Sequence, residues 1–179
     1  MNSDQSTEHS ANSSNPTARR TQRDNFTIII DSREQTPWDF TNGPECERGT
    51  LSTGDYSIKG LEDFIAIERK ELEDFIGCCG RQRDRFKREL ERLRGYWVKA
   101  VVIEGTMHQI AGAKYRSRID PACVIGAMAS WTARYGIPFI LAGDRMQAEN
   151  FSLTMMKNFH RQISDLIKLT NNNNNQEAA

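Results

Sequence analysis

Short β-branched runs alternate with helical patterns between residues 25 and 170, and this alternation constrains the fold more than any other feature of the chain. Five runs are predicted to be strands: 26–30, 55–58, 65–68, 97–103 and 137–141. Four amphipathic or capped segments are predicted to be helices: 71–78, 81–94, 121–135 and 150–169. Because strands and helices interleave, we expect one domain with a mixed sheet and helices around it, of the α/β or α+β class.

Both ends of the chain are polar and are expected to lie outside this domain. Residues 1–24 are rich in Ser, Asn, Thr and Gln, which predicts a disordered leader, and residues 171–179 form an Asn-rich tail that is also predicted to be disordered. The domain itself is expected to span residues 25–170. The N-terminus lacks the apolar core of a signal sequence, and no apolar run approaches the ~18 residues of a membrane span. We therefore expect no membrane contact and a cytoplasmic location in a bacterial or phage context, or a nuclear one if the chain is eukaryotic.

Bulk composition excludes some functions without choosing among the rest. The 24 basic and 24 acidic residues cancel, so any surface for nucleic acid has to be local. The four cysteines form neither a CxxC pair nor a zinc-ligand spacing, and reduced thiols are expected. No GxxxxGK loop occurs, so ATP is not an expected ligand.

The chemistry of the chain is predicted from the second and third strands, which are expected to form a β-hairpin. If Ile58 lies opposite Ile65, then Asp55 lies opposite Glu68 with both side chains on one face. Alternation along the strand puts Lys70 on that same face. Two carboxylates and one amine are therefore expected to converge at one end of the hairpin.

Two like charges directly opposite each other destabilise a sheet unless something compensates them. Carboxylate oxygens are hard ligands suited to Mg²⁺ or Mn²⁺, so a divalent cation is a natural compensator. Lys70 would then orient or deprotonate a water and offset charge on a phosphate. The alternative is a surface hairpin whose acids merely pair with Arg69 and Lys70, and the spacing alone does not decide between the two.

Five short motifs occur in order around the hairpin, and together they carry a resemblance. They are Ile30-Asp31-Ser32-Arg33-Glu34, Gly54-Asp55-Tyr56, Glu68-Arg69-Lys70 with Asp74 after three further residues, Gly80-Arg81, and Ile103-Glu104-Gly105. They resemble the DxRE, GD, ERKxxxD, Gly-Arg and (I/L)EG elements of the XPF-family structure-specific endonucleases. The resemblance covers about residues 26–145 and implies a restriction-endonuclease-like α/β core of the PD-(D/E)xK superfamily, with a mixed central sheet flanked by helices.

The resemblance also implies a cofactor and roles for the hairpin residues. The expected cofactor is Mg²⁺ or Mn²⁺, the expected partner is DNA, and the reaction is DNA cleavage. By position, Asp55 and Glu68 are the implied metal ligands, with the main-chain carbonyl of Arg69 as a third. Lys70 is the implied general base or water-positioning residue.

Three further residues take expected roles from the same motifs. Asp31 and Arg33 belong to the implied rim of the active site, where Arg33 can contact a phosphate with two hydrogen bonds. Asp74 either supports Lys70 through an i,i+4 contact or is a first-turn acid favoured by the helix dipole. Both interpretations of Asp74 stay open at this point.

The segment 81–94 carries seven basic and three acidic residues and is predicted to be a basic helix. At helical spacing its arginines form one stripe, made of Arg81, Arg85, Arg88 and Arg92. The stripe is either a surface that binds DNA phosphates or a solvent-exposed face whose arginines form ion pairs with neighbouring acids. The resemblance favours Arg81 as a DNA contact.

The preferred function is therefore a divalent-metal-dependent DNA endonuclease acting at branched or otherwise non-B DNA, in repair, recombination or replication. The alternatives are a catalytically silent DNA-binding or partner-binding scaffold of the same fold, and a superfamily nuclease that reads base sequence. No helix-hairpin-helix domain is expected in these 179 residues, so the resemblance supports the chemistry better than branched specificity. The apolar residues of the final helix are expected to pack into the core in preference to a dimer contact, and a homodimer or an unidentified protein partner stays open: Phe151, Met155, Met156 and Phe159.

Overall fold

The computed structural model describes residues 25–41 and 43–177, with side chains as far as residue 172. The predicted leader at 1–24 lies outside the described residues. The elements in chain order are β1 (Thr27–Asp31), β2 (Glu45–Gly49), β3 (Tyr56–Ile58), β4 (Ile65–Glu71), α1 (Leu72–Cys79), α2 (Arg83–Leu93), β5 (Val98–Glu104), α3 (Met107–Ala111), α4 (Pro121–Tyr135), β6 (Phe139–Leu141) and α5 (Arg145–Glu177). Within the described part, no helix is both long enough and apolar enough to span a membrane.

The strands form a six-stranded mixed sheet in the order β2-β1-β3-β4-β5-β6. β3 is antiparallel to both of its neighbours, whereas the β1–β2, β4–β5 and β5–β6 pairs are parallel. Parallel strands need a crossover between them, and α1 with α2 supplies the crossover from β4 to β5. The expected α/β class with a mixed central sheet is confirmed.

Each face of the sheet is covered by its own apolar cluster. On one face, residues of α1, α2 and α4 pack against Ala66, Val101 and Ile103 of the central strands. On the other face, α5 and the segment around Trp38 cover alternate residues of the same strands, such as Ile67. Because successive strand residues point to opposite faces, β4 contributes side chains to both clusters.

The hairpin forms with the predicted register. Tyr56 lies opposite Ile67, which is the same register as Ile58 opposite Ile65. Ile58, Ile65 and Ile67 are fully buried, so a slip by one residue would move them away from their cluster. Burial of these isoleucines therefore fixes where the polar end of the hairpin lies.

Two elements of the structure differ from the sequence prediction. The sequence predicts no strand between residues 30 and 55, but β2 lies there and pairs in parallel with β1 from Thr27↔Glu45 to Asp31↔Gly49. Four of the five β2 residues are exposed, so the strand carries no apolar alternation that would indicate it. The short α3 is the other addition, and it begins at a capping box formed by Thr106 and Gln109.

The last helix extends beyond the predicted domain boundary. α5 runs to Glu177, so the backbone of residues 171–177 is helical where the sequence predicted a disordered tail. Met156 and Phe159 are buried in the core as expected, whereas Phe151 is 39% exposed. Leu166, with 56% of its surface exposed, lies beyond the core.

Candidate active site

The polar end of the hairpin brings three predicted residues together. Asp55 directly precedes β3, Glu68 and Lys70 lie in β4, and all three line one cleft of about 480 Å³. The Asp55 backbone N–H donates to the Ile67 carbonyl (2.8 Å), which extends the hairpin ladder to the carboxylate. The Asp55 side chain accepts a hydrogen bond from the Arg69 backbone N–H (2.7 Å). The β-ladder therefore fixes the Asp55 carboxylate beside the strand that carries Glu68 and Lys70.

The pKa of the Asp55 carboxyl group is raised in the folded protein. Burial raises the pKa of Asp55 above its ordinary value of 3.8, and the neighbouring Glu68 carboxylate raises it further, to about 8. The cation of Lys70 and the hydrogen bond from the Arg69 amide act in the opposite direction but do not compensate. A divalent cation bound beside Asp55 and Glu68 would favour the ionised form of Asp55 and lower its pKa.

Lys70 is enclosed by carboxylates and an aromatic ring. Its ammonium group donates a short hydrogen bond to Glu68, lies 4.0 Å from Oε2 of Glu89, and stands 5.6 Å from the centroid of the Phe86 ring. Burial lowers the pKa of Lys70, but the Glu68 and Asp55 carboxylates outweigh burial and the pKa stands above its usual value. Lys70 is therefore a cation in this arrangement.

Asp74 lines the cleft but does not pair with the lysine. The ion pairs of Lys70 within the described residues are with Glu68 and Glu89, and Asp74 is an exposed acid in the first turn of α1. Of the two interpretations of Asp74, the structure favours the first-turn acid near the positive end of the helix. Glu89 on α2 holds the position expected for Asp74, and nothing in the sequence except its i,i+4 spacing from Arg85 indicated it.

Arg69 lies on the opposite face of β4 from Glu68 and Lys70. Its guanidinium is 5% exposed and donates to both carboxylate oxygens of Glu104 (2.7 and 3.0 Å). Glu71 and Glu34 lie 3.0 and 3.6 Å from the same group. The Arg69 side chain is thus a structural ion-pair centre, separate from any role of its carbonyl in metal binding.

Glu104 connects this centre to the rest of the second face. It also accepts a hydrogen bond from Trp38 Nε1 (2.8 Å) and lies 3.6 Å from Arg145 at the start of α5. The network therefore joins β4, β5, the segment after β1 and α5. The Glu34 and Glu104 positions were visible in the sequence only as parts of motifs, without a role.

The rim residues are arranged around Asp31. Asp31 is buried and accepts hydrogen bonds from the Arg33 side chain (2.7 and 2.9 Å) and from the Leu51 backbone N–H (2.8 Å). Burial raises the pKa of Asp31, but these hydrogen bonds outweigh it and hold the pKa below its ordinary value. Since its oxygens are occupied, Asp31 positions Arg33, whose side chain is 69% exposed and lines the cleft.

The predicted arginine stripe reaches the cleft only in part. Arg85 and Arg92 line the cleft, whereas Arg81 and Arg88 are exposed elsewhere. α2 begins at Arg83, so Arg81 belongs to the turn that precedes the helix. Arg85 is also paired with Glu89 at 3.3 Å, which the solvated-face interpretation expects, although it lines the cleft.

The donor set of the cleft fits a magnesium-type ion. Across the described residues, no group of three or more His, Cys, Asp and Glu side chains is placed to hold a metal. Asp55 and Glu68 offer two carboxylates, and Mg²⁺ is typically bound by one or two carboxylates with waters and substrate phosphates completing its shell. The raised pKa of Asp55 is the observation of this structure that fits such an ion, because a divalent cation would offset the charge that burial disfavours.

The family of the chain is decided by a match over most of its length. The model of the ERCC4 domain family matches residues 30–167. The chain belongs to this family. The matched range begins in β1 and ends in α5, so it contains the whole hairpin and the cleft. The resemblance to XPF-type nucleases that the motifs predicted is therefore confirmed.

Solved structures show the same fold for this ERCC4 domain. XPF from Aeropyrum pernix is similar with a TM-score of 0.60 and 24% identity, over 73% of this chain and 60% of that one. A second structure, XPF from Aeropyrum pernix in complex with DNA, has a TM-score of 0.60 and 22% identity, over 76% of this chain and 66% of that one. The chain thus spans about three fifths to two thirds of those proteins. No curated protein sequence matches it.

Proposed function

We propose that this ERCC4 domain is a divalent-metal-dependent endonuclease that hydrolyses phosphodiester bonds in DNA at branched or otherwise non-B structures. The supporting observation is the opposition of Asp55 and Glu68 beside Lys70 in a cleft that arginines also line. Family membership supports nuclease chemistry, and the similarity to an XPF structure in complex with DNA supports DNA as the partner.

Each residue of the cleft has a distinct task in this proposal. Asp55 and Glu68, with the main-chain carbonyl of Arg69, would hold the ion, which supplies Lewis-acid chemistry by polarising a phosphodiester oxygen and offsetting its developing charge. Lys70, as a cation, orients the attacking water and stabilises negative charge on the phosphate. Arg33 and Arg85 contact flanking phosphates from the rim and from α2.

Glu68 and Lys70 form an ion pair with each other. A metal ion that binds Glu68 and a phosphate that binds Lys70 therefore both compete with this pair. Divalent cation binding to Glu68 would weaken its hold on Lys70 and leave the ammonium group available to the phosphate. The pair therefore keeps both groups buried and compensated until ion and substrate enter the cleft.

A substrate panel tests the proposal directly. The full chain is incubated with fork, flap, nicked and plain duplex DNA of one sequence, with Mg²⁺, with Mn²⁺ or with EDTA. We expect metal-dependent cleavage at the branched substrates, and a loss on the order of 10²–10⁴-fold in Lys70→Met. Lys87→Met is the matched control, because Lys87 does not line the cleft and its ion pair within the described residues is with the exposed Asp84.

Three outcomes would change the assignment. Salt-dependent DNA binding without cleavage of any substrate would favour the catalytically silent scaffold. Cleavage that follows base sequence and ignores branch structure would favour another nuclease of the superfamily. Full activity of Asp55→Asn would refute the site itself.

A further inference from the structure

The segment between α3 and α4 concentrates positive charge outside the cleft. Residues 114–118 read Lys-Tyr-Arg-Ser-Arg, and we name them the basic loop. Lys114, Arg116 and Arg118 are all exposed, and the Arg116 side chain is 91% exposed. The loop carries three cations and no acid in a chain whose net charge is zero. None of these cations takes part in the proposed chemistry.

The backbone of the basic loop is fixed in place by the protein. The Tyr115 hydroxyl donates to the Ile119 carbonyl (2.8 Å), and the Tyr115 ring packs against the α1/α2/α4 cluster. The Arg116 backbone N–H donates to the Glu73 carboxylate of α1 (3.0 Å). Ile119 packs so closely on Gly80 that an added Cβ there would lie 2.7 Å from its Cδ1. A segment held this way presents its cations without a large ordering cost when it binds a ligand.

The charges of the basic loop are largely uncompensated. Arg116 lies 3.8 Å from Glu73, a long and exposed pair of the kind that contributes little. Within the described part of the chain, Lys114 contacts His108 Nε2 (3.0 Å) and no carboxylate, and Arg118 has no side-chain partner. The other nearby acid, Asp120, caps α4 through the Ala122 backbone N–H.

The contact between Gly80 and Ile119 brings together the two chain segments that carry Arg81 and Arg118. Arg81 directly follows Gly80 and Arg118 directly precedes Ile119, so both lie next to the same contact. Arg81, like Arg118, is exposed and has no side-chain partner among the described residues. Arg81 precedes α2, and two arginines of that helix, Arg85 and Arg92, line the cleft.

We propose that the basic loop, together with Arg81, binds the phosphate backbone of DNA that extends from the cleft past α1. This inference rests on the proposed function, because it assumes that DNA occupies the cleft. Separate exposed cations can each contact a backbone phosphate, and such contacts carry no information about base sequence. The basic loop would therefore position a DNA arm and leave the choice of scissile bond to the cleft.

The test compares two variants that remove the same charge. In one, Lys114, Arg116 and Arg118 are replaced by alanine; in the other, the exposed cations Lys59, Arg161 and Lys168 are replaced by alanine. Binding of the full chain to a labelled duplex of about 20 base pairs is measured in EDTA over a range of NaCl concentrations. Circular dichroism melting checks that each variant is folded, and the single variant Arg118→Glu replaces the first one if the triple substitution unfolds.

The expected result is a specific loss in the first variant. Its affinity should fall about 10- to 100-fold near physiological salt, and the slope of log K against log [NaCl] should decrease by about 2–3, whereas the control variant should change far less. Equal losses in the two variants would overturn the inference, because they would show a general charge effect. Wild-type binding with an unaffected loop variant would refute the basic loop alone, whereas absence of salt-dependent binding in the wild type would refute the proposed DNA substrate as well.

Discussion

Replacing Asp55 with asparagine is expected to stabilise the fold at alkaline pH, in the absence of metal, while it removes a metal ligand. Burial and the Glu68 carboxylate raise the pKa of Asp55 from 3.8 to about 8 in the folded protein. In the unfolded chain the pKa stays near 3.8, so between these values the folded state holds a proton that the unfolded state has released. The free energy of unfolding therefore falls as pH rises through this window, and the loss is complete above about pH 8.

The magnitude follows from the width of that window. Each pKa unit corresponds to about 1.4 kcal/mol, so the interval from 3.8 to about 8 sets a ceiling of about 6 kcal/mol. Because the site opens to water in the cleft, we expect about 2–3 kcal/mol in practice. Asparagine keeps an acceptor for the Arg69 backbone N–H, which lies 2.7 Å from Asp55 Oδ2, and carries no charge. The melting temperature of Asp55→Asn should therefore exceed that of the wild type by about 5–10 °C above pH 8.

Thermal unfolding followed by circular dichroism in EDTA, from about pH 4 to about pH 9, measures this effect. The wild-type and Asp55→Asn curves should converge at the acid end and separate as pH rises. Asp84→Asn is the control, since the Asp84 side chain is 86% exposed, and its curve should run parallel to the wild type. Mg²⁺ at the alkaline end should stabilise the wild type and narrow the gap. Parallel wild-type and Asp55→Asn curves, or a less stable variant above pH 8, would refute the reasoning.

Three further substitutions have expected outcomes. Arg69→Lys should lower the free energy of unfolding by about 2–4 kcal/mol in urea titrations, because an ammonium group cannot form the two-hydrogen-bond contact with Glu104; a loss under ~1 kcal/mol would contradict the structural role. Gly80→Ala should lower the free energy of unfolding by about 1 kcal/mol or less in the same assay, because the added methyl group meets the terminal Cδ1 of Ile119, which can move aside; a larger loss would show that Ile119 is held rigidly. Glu89→Gln should reduce the cleavage rate about tenfold at an unchanged melting temperature, because it loosens the lysine beside it; a rate equal to wild type would remove it from the site.

The hairpin and its carboxylates could be predicted from the sequence because strand alternation has a period of two. Once the isoleucines have to be buried, only one register is available, and Asp55 then has to lie opposite Glu68. The strand β2 could not be predicted, since its side chains are mostly exposed and its stability comes from backbone pairing with β1. Local pattern contains no information about such a pairing.

The surroundings of the site depend on tertiary packing in the same way. Arg69 and Glu104 are 35 residues apart, and only the parallel pairing of β4 with β5 brings their strand ends together. The identity of the carboxylate beside Lys70 depends on how α2 packs against β4, so Asp74 and Glu89 could not be distinguished by spacing. The residues that carry the chemistry were therefore easier to find than those that hold them in place.

The separation of charges on the two sides of β4 has an evolutionary consequence. Glu68 and Lys70 face the cleft, whereas the neighbouring Arg69 is enclosed by acids on the reverse side, in the ion-pair network that joins four parts of the fold. A related protein could lose Glu68 and Lys70 together and still fold, because the two charges compensate each other. Loss of Arg69 would lower the free energy of unfolding more, because it would leave several buried acids without their cation. Relatives that have lost activity but still serve as binding scaffolds should therefore retain an arginine at the position of Arg69 after the positions of Glu68 and Lys70 have been substituted.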